Sequence, residues 1–303
     1  MKSLATTGCV KEQPGSLVPG DFQLTRQDFR QIAAMIEADS GIHLPQSKAM
    51  LVYSRLARRL RALGMASFRD YCQLVTEREG AGERQNMLAA LTTNMTRFFR
   101  EPHHFDHLAK NVLPPLIVAV RRGGRLRLWS AGCSSGEEPY SIALTLLSLM
   151  PDAGNYDIKV LATDIAPNVL AKGKNGVYTS DELDPVSAKM RARWFVSICE
   201  GDRQGAAVPM YRVAPELKAL VSFRELNLFG TWPMAGLFQA IFCRNVAIYF
   251  EKAAQEELWS RFMVKLTQGG VLYLGHSERI TGPASKRLDV EAVTTYRTQR
   301  GGS

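Results

Sequence analysis

The stretch Leu128-Trp129-Ser130-Ala131-Gly132-Cys133-Ser134-Ser135-Gly136-Glu137-Glu138-Pro139-Tyr140 decides the fold. It closes a β-prone run over residues 125–129 and opens a helical pattern over 138–150. A strand that turns straight into a helix is the first unit of a doubly wound sheet, where ligands bind at the carboxyl ends of the strands. Gly132 and Gly136 lack a Cβ and would let a ligand come close to the backbone. The spacing is G-x-x-x-G, not the G-x-G-x-x-G that cradles a pyrophosphate. Taken alone, the pair fits a plain strand–helix turn as well.

Working outward, residues 157–163 read as a second strand that ends at Thr163-Asp164. An acid there can hold a ribose diol, although a helix N-cap is the plainer role. The Gly turn and the acid together favour a nucleoside ligand without phosphate, which suits S-adenosylmethionine better than NAD. Residues 240–243 and 271–274 read as further strands, with a helix over 252–266 between them. Strands alternating with helices give an α/β, Rossmann-like domain with a mostly parallel sheet. Residues 194–225 break the rhythm with β-rich runs at 194–198, 208–213 and 220–224, which predicts a small antiparallel β insert.

Before residue 94 the period is helical over about 25–40, 46–63, 67–77 and 83–93, with Thr25 and Asp28 spaced as a capping box. The expected organisation is a flexible tail at 1–20, an all-helical domain at 21–93 and the α/β domain at 94–303, with residues 94–124 as its linker. A length of 303 residues fits two domains of roughly 100–200 residues each.

No apolar run approaches the ~18 residues of a membrane span, and residues 1–10 lack the apolar core of a secretory signal. Cys9, Cys72, Cys133, Cys199 and Cys243 are scattered, without a C-x-x-C pair, so a reducing cytoplasmic setting is expected. Lys and Arg exceed Asp and Glu by 38 to 29, a net +9 that points to an acidic partner.

Four segments carry a family resemblance. They are Thr92-Thr-Asn-Met-Thr-Arg-Phe-Phe-Arg-Glu101, the turn at 129–140, Thr163-Asp164, and Ile241-Phe-Cys-Arg-Asn-Val-Ala-Ile-Tyr-Phe250, with Gly275-His276-Ser277-Glu278 downstream. In order and spacing over residues ~22–298 the chain resembles the bacterial chemotaxis receptor glutamate O-methyltransferases. The resemblance implies a helical N-terminal domain and an S-adenosylmethionine-binding domain with an antiparallel insert. It also implies methyl transfer to glutamate side chains on the cytoplasmic helices of chemoreceptors, leaving S-adenosyl-L-homocysteine.

Carried over by position, Asn94, Thr96 and Arg100 would border the methionine part of the cofactor. Glu138 would contact the cofactor beside the Gly turn, with Glu137 as its possible substitute. Asp164 would bind the ribose, Asn227 and Leu228 would flank the adenine, and Arg244 and Asn245 would complete the pocket. Tyr249 would face the substrate carboxylate and share its orientation with Arg100. Taken alone, Arg100 also fits a surface cation and Tyr249 a core residue. A carboxylate is ionised at neutral pH and needs alignment more than a base. No metal is expected, although His103, His104 and His107 lie near Asp106.

The second helix has an apolar face of Val52, Leu56, Leu60 and Leu63, with Arg55, Arg58 and Arg61 opposite and Arg59 at the edge. The stripe is read as a docking surface for acidic receptor helices. A solvated face is the plainer alternative, and nucleic acid is not expected because no stacking aromatics accompany it. Members of the family that bind a receptor's C-terminal pentapeptide do so on the insert's edge and have a short hairpin loop. Residues 199–209 form a longer one here, so independence of such a tether is expected, as is a monomer. The alternatives are a related methyltransferase acting on another protein or a small molecule in a non-flagellar system, and a non-catalytic scaffold.

Overall fold

The computed structural model describes residues 15–198 and 209–299. The chain divides into two compact units, Met1–Thr93 and Asn94–Ser303.

The first unit holds α1 (Arg26–Ser40), α2 (Ala49–Leu63), α3 (Phe68–Thr76) and α4 (Ala81–Leu91). The Thr25 hydroxyl accepts from the Asp28 N–H, and the Asp28 carboxylate accepts from the Thr25 N–H, which starts α1. Val52, Leu56 and Leu60 are fully buried, as the helical period requires, whereas Leu63 in the last turn is exposed. Residues 15–20 are not a free tail. The Leu17 N–H donates to the Leu24 carbonyl at 2.8 Å, Val18 is buried, and the Phe22 N–H donates to the Tyr53 hydroxyl at 3.2 Å. The rest of the expected tail, residues 1–14, lies outside the described residues.

The second unit begins with α5 (His103–His107), a π-helical turn (Leu108–Val112) and α6 (Leu113–Arg121). These replace the expected linker, because Phe105, Leu108, Val112, Leu113 and Val120 are buried in the main core. Then follow β1 (Leu126–Ala131), α7 (Glu137–Leu149), β2 (Ile158–Asp164), α8 (Pro167–Asn175), β3 (Val177–Thr179), α9 (Ala188–Trp194), β4 (Phe195–Ile198), β5 (Met210–Val213), α10 (Pro215–Ala219), β6 (Val221–Glu225), β7 (Phe238–Cys243), α11 (Lys252–Met263), β8 (Leu266–Leu274), β9 (Leu288–Ala292) and β10 (Thr295–Thr298).

The large sheet runs β6-β2-β1-β7-β8-β10-β9, parallel from β6 to β8 and antiparallel beyond. On one face Leu126, Leu128, Val160 and Phe223 share a core with α7 residues such as Ile142 and Leu146. On the other, Trp129 is buried against Trp232, Phe238 and Phe262.

The insert is corrected in one respect. Its small antiparallel sheet is β3-β5-β4, so its third strand is Val177–Thr179, outside 194–225. The run near residues 220–224 is β6, an edge strand of the large sheet, parallel to β2. Val221 and Phe223 are buried on the α7 side, so a run that looked local belongs to the main core. The helix expected over 252–266 ends at Met263, because Leu266 starts β8 opposite Phe238.

Candidate active site

The parallel strands β6, β2, β1 and β7 deliver their carboxyl ends, and the segments that follow them, to one end of the sheet. Gly132 sits there at φ +79°, and a Cβ would lie 2.4 Å from Val246 Cγ2. Gly136, at φ +98°, precedes α7, where a Cβ would meet the Gly173 backbone at 2.9 Å. Both positions therefore require glycine. Phe99, Glu101, Ser134 and Asn245 hold left-handed backbone at φ between 48° and 58°. Such residues cost roughly 1–3 kcal/mol each and persist where surrounding contacts over-determine them.

Asp164 ends β2 and is buried. Its Oδ2 accepts from the Ser134 N–H at 2.8 Å and its Oδ1 from the Ala166 N–H at 3.0 Å. The helix that follows is not capped by this side chain. The Ile165 N–H also acts on this carboxylate, and the acceptor capacity left over is what a diol hydroxyl needs. Burial pushes the carboxyl up in pKa, and the backbone donors pull it back.

Arg244 directly follows β7, with its side chain 1% exposed. Nη1 lies 3.1 Å from Glu138 Oε2, and Nη2 lies 3.3 Å from Glu101 Oε2 and donates to the Arg100 carbonyl. Glu138 is also buried and accepts from Ser130 Oγ at 2.7 Å. Burial raises the pKa of Glu138, while Arg244 and Ser130 oppose the rise. Glu101 also feels burial, but Arg244 and the donors of His276 outweigh it and hold the carboxyl below its ordinary value. Glu137 is buried and takes the Ser135 hydroxyl at 2.8 Å instead.

The loop after Arg244 is shaped by Glu278, which is 4% exposed. Its Oε1 accepts from the N–H groups of Val246, Ala247 and Ile248 at 2.9, 2.7 and 3.3 Å. Its Oε2 accepts from Asn245 at 2.9 Å and Gly275 at 2.6 Å. This carboxylate fixes the turn Ala247–Tyr249. Asn245 Oδ1 is buried without a hydrogen-bond partner. A buried acceptor in that state suits a ligand's N–H or O–H donor.

Of the remaining predicted residues, Asn94 is half-buried, and its carbonyl accepts from Ser134 Oγ at 2.8 Å. Thr96 is half-buried. The Arg100 guanidinium donates to the Met95 carbonyl at 3.0 Å. Asn227 Oδ1 accepts from the Phe229 N–H, and Leu228 is buried. The Leu226 N–H donates to the Asp164 carbonyl at 3.0 Å, which ties this segment to the end of β2. Tyr249 is half-buried and makes no side-chain hydrogen bond among the described residues.

Glu101, His103 and His104 present ligand atoms within 4.8 Å of one another. The Arg244 cation beside Glu101 opposes a metal ion there. Cys133 and Cys243 are free and buried, and burial pushes both thiols up and away from thiolate chemistry.

On α2, Arg55 is half-buried and its guanidinium is hydrogen-bonded within the first unit. Its Nη1 donates to the carbonyls of Ala90, Leu91 and Thr92 at 3.2, 2.8 and 2.8 Å, and Nη2 donates to Thr93 Oγ1 at 3.1 Å. It caps the C-terminal end of α4. Arg59 is spent on Glu83, and Arg61 pairs with Asp21 at 2.6 Å. Arg58 is exposed.

Reading the sequence for ligand-facing residues passed over Glu278, Glu101 and the cap formed by Arg55. Glu101 and Glu278 stand inside the motifs quoted above, but nothing in the neighbouring residues names their partners, Arg244 and the 245–248 loop.

Two family descriptions match the chain. "CheR methyltransferase, all-alpha domain" matches residues 27–92, and "CheR methyltransferase, SAM binding domain" matches residues 94–296. A "Probable chemotaxis protein methyltransferase" of Rhizobium etli is 50% identical over 264 residues, covering 87% of this chain and 96% of that protein. "Chemotaxis protein methyltransferase 2" of Pseudomonas aeruginosa is 44% identical, covering 85% and 88%. The "Chemotaxis protein methyltransferase" of Escherichia coli is 40% identical, covering 90% and 91%.

Proposed function

The chain belongs to the CheR methyltransferase family, and from that premise we propose that it methylates glutamate side chains on the cytoplasmic helices of chemoreceptors. The reading is carried above all by the strand-end geometry around Asp164 and Arg244, beside relatives named for chemotaxis methylation. S-adenosyl-L-methionine supplies an electrophilic methyl on a sulfonium and leaves as S-adenosyl-L-homocysteine.

Asp164 binds the ribose through the lone pairs its backbone donors leave open. Asn227 and Leu228 flank the adenine. Asn245 offers its unpartnered Oδ1 to a donor of the cofactor, and Asn94, Thr96 and Arg100 border the methionine end. Glu138 acts by fixing the Arg244 guanidinium, not as a free carboxylate. Arg100 and Tyr249 orient the substrate carboxylate toward the methyl group that a bound cofactor would supply. The carboxylate arrives ionised, so no proton has to move before attack. The enzyme's task is alignment and the exclusion of water.

Arg58 steers the acidic receptor helices, with Arg61 contributing less because Asp21 pairs with it, an effect that weakens with salt. The protein acts as a monomer without a receptor pentapeptide tether. The loop that motivates the latter is residues 199–209, of which 199–208 lie outside the described residues. Calorimetry with such a pentapeptide tests it, and clear micromolar binding would overturn it.

The decisive experiment incubates the protein with methyl-labelled cofactor and receptor cytoplasmic fragments. Base-labile label on receptor glutamates is expected. Label on other proteins or small molecules alone, or cofactor binding without transfer, would overturn the proposal.

A further inference from the structure

The crossover from β6 to β7 has an unusual form. It starts at the sheet edge and ends beyond β2 and β1, a route that a helix ordinarily takes. Residues 226–237 make this crossing without any helix. Trp232 from this segment packs edge-on against Trp129 over β1. On the same face α11 packs against β8. Toward β2 and β6 that face carries Lys159 and Arg224, both exposed, and Leu161 and Ser222, both half-buried. A parallel sheet is normally covered on both faces, and here half of one face is bare among the described residues.

The bare area forms a cleft of about 550 Å³. Leu161, Met234 and Leu237 give it an apolar floor and wall, and Leu237 is 48% exposed. Arg125, Arg127 and Lys159 also line it, with no carboxylate among its described lining residues. Arg127 is partly neutralised by Asp157, and Lys159 donates to the Ala219 carbonyl at 2.6 Å. Arg125 is exposed. The cleft lies on the face and at the amino ends of the strands, away from the carboxyl ends that hold Asp164 and Arg244.

We infer that this half-face docks an acidic amphipathic helix of a partner protein, which takes the place of the missing crossover helix. An apolar helix face would cover Leu161, Met234 and Leu237. Carboxylates along its flank would meet Arg125, Lys159 and the spare donors of Arg127. The contact is separate from the strand-end site, so a partner held here leaves the methyl-transfer site open. The surface is distinct from the Arg58 surface on α2, and neither reading depends on the other.

The test uses the full chain and a fluorescent 18-residue Leu/Glu amphipathic peptide as probe. Saturable binding is expected, weakened at least ~10-fold by the double variant Arg125→Glu/Lys159→Glu. Leu237→Asp should weaken it as well, and Arg58→Glu should leave it unchanged. Receptor methylation by the double variant should match the wild type, which shows that it folds. Absence of saturable binding overturns the proposal. So does equal binding of a Leu/Lys peptide, survival of binding in the double variant, or loss of binding in Arg58→Glu alone. Full displacement by millimolar inorganic phosphate would make the cleft a small-anion site and overturn it too.

Discussion

Arg244 at the strand ends and the arginines of α2 share a side chain but not a situation. Arg244 is sealed from water and bracketed by Glu101 and Glu138. On α2, Arg55 is half-buried on backbone carbonyls, whereas Arg58 stands exposed. A buried guanidinium is committed by the charges around it. An exposed one is committed by nothing until a partner arrives. Net charge counts both alike, although only the second kind steers an encounter.

The contrast is broken most directly at Arg244. Arg244→Ala leaves two carboxylates buried without their cation, and a loss of about 3–5 kcal/mol in urea unfolding is expected, with no methyl transfer. A loss as small as that of an exposed arginine would mean the cluster is hydrated and the contrast empty.

Glu278→Gln probes the same region through its backbone. The amide NH₂ would face N–H groups that now donate to a carboxylate oxygen. Stability should drop by about 1–3 kcal/mol, and cofactor affinity by calorimetry should drop with it. Unchanged affinity would separate the loop from the cofactor pocket.

A smaller effect depends on pH. Burial holds the His104 imidazole neutral, its pKa pushed down to about 3, and its Nε2 lies 2.9 Å from Thr294 Oγ1. The unfolded value is about 6.5, so between the two the unfolded chain binds the extra proton. Stability should therefore fall as pH drops from 7 toward 5, by at most ~1.4 kcal/mol per pH unit from this group. His104→Gln should show a flatter slope over that range. An identical slope would assign the pH dependence elsewhere.

The smallest effects sharpen the comparison within α2. Arg55→Ala should cost about 1–2 kcal/mol, through the uncapped carbonyls of α4, without a specific rise in the receptor KM. Arg58→Glu should leave stability within ~0.5 kcal/mol and raise that KM, more at low salt than at high. Swapped outcomes would return Arg55 to the docking surface.

What the sequence made legible was local. The Gly132–Gly136 turn, the acid at the end of β2, the capping box at Thr25 and the four helices follow from neighbours a few residues apart. What it hid depends on partners far along the chain. Arg55 reads as a surface cation until α4 brings its carbonyls to it. Residues 220–224 read as part of the insert until Val221 and Phe223 find β2. Residues 103–112 read as part of a linker until Phe105, Leu108 and Val112 find the main core. The residues that shape the site rather than face a ligand, Glu101 and Glu278, had no such local signature.

The Glu278 carboxylate makes the site depend on a part of the chain that is synthesised after it. The loop at Asn245–Ile248 takes its acceptor from a residue 33 positions beyond Asn245. Every side chain expected to meet the cofactor lies at or before Tyr249, so all of them have been synthesised well before the anion that shapes their last loop. The pocket is therefore complete only once β8 has paired with β7 and carried Gly275 and Glu278 into place. A nascent chain stopped short of residue 278 would carry every one of those side chains and still have no finished site.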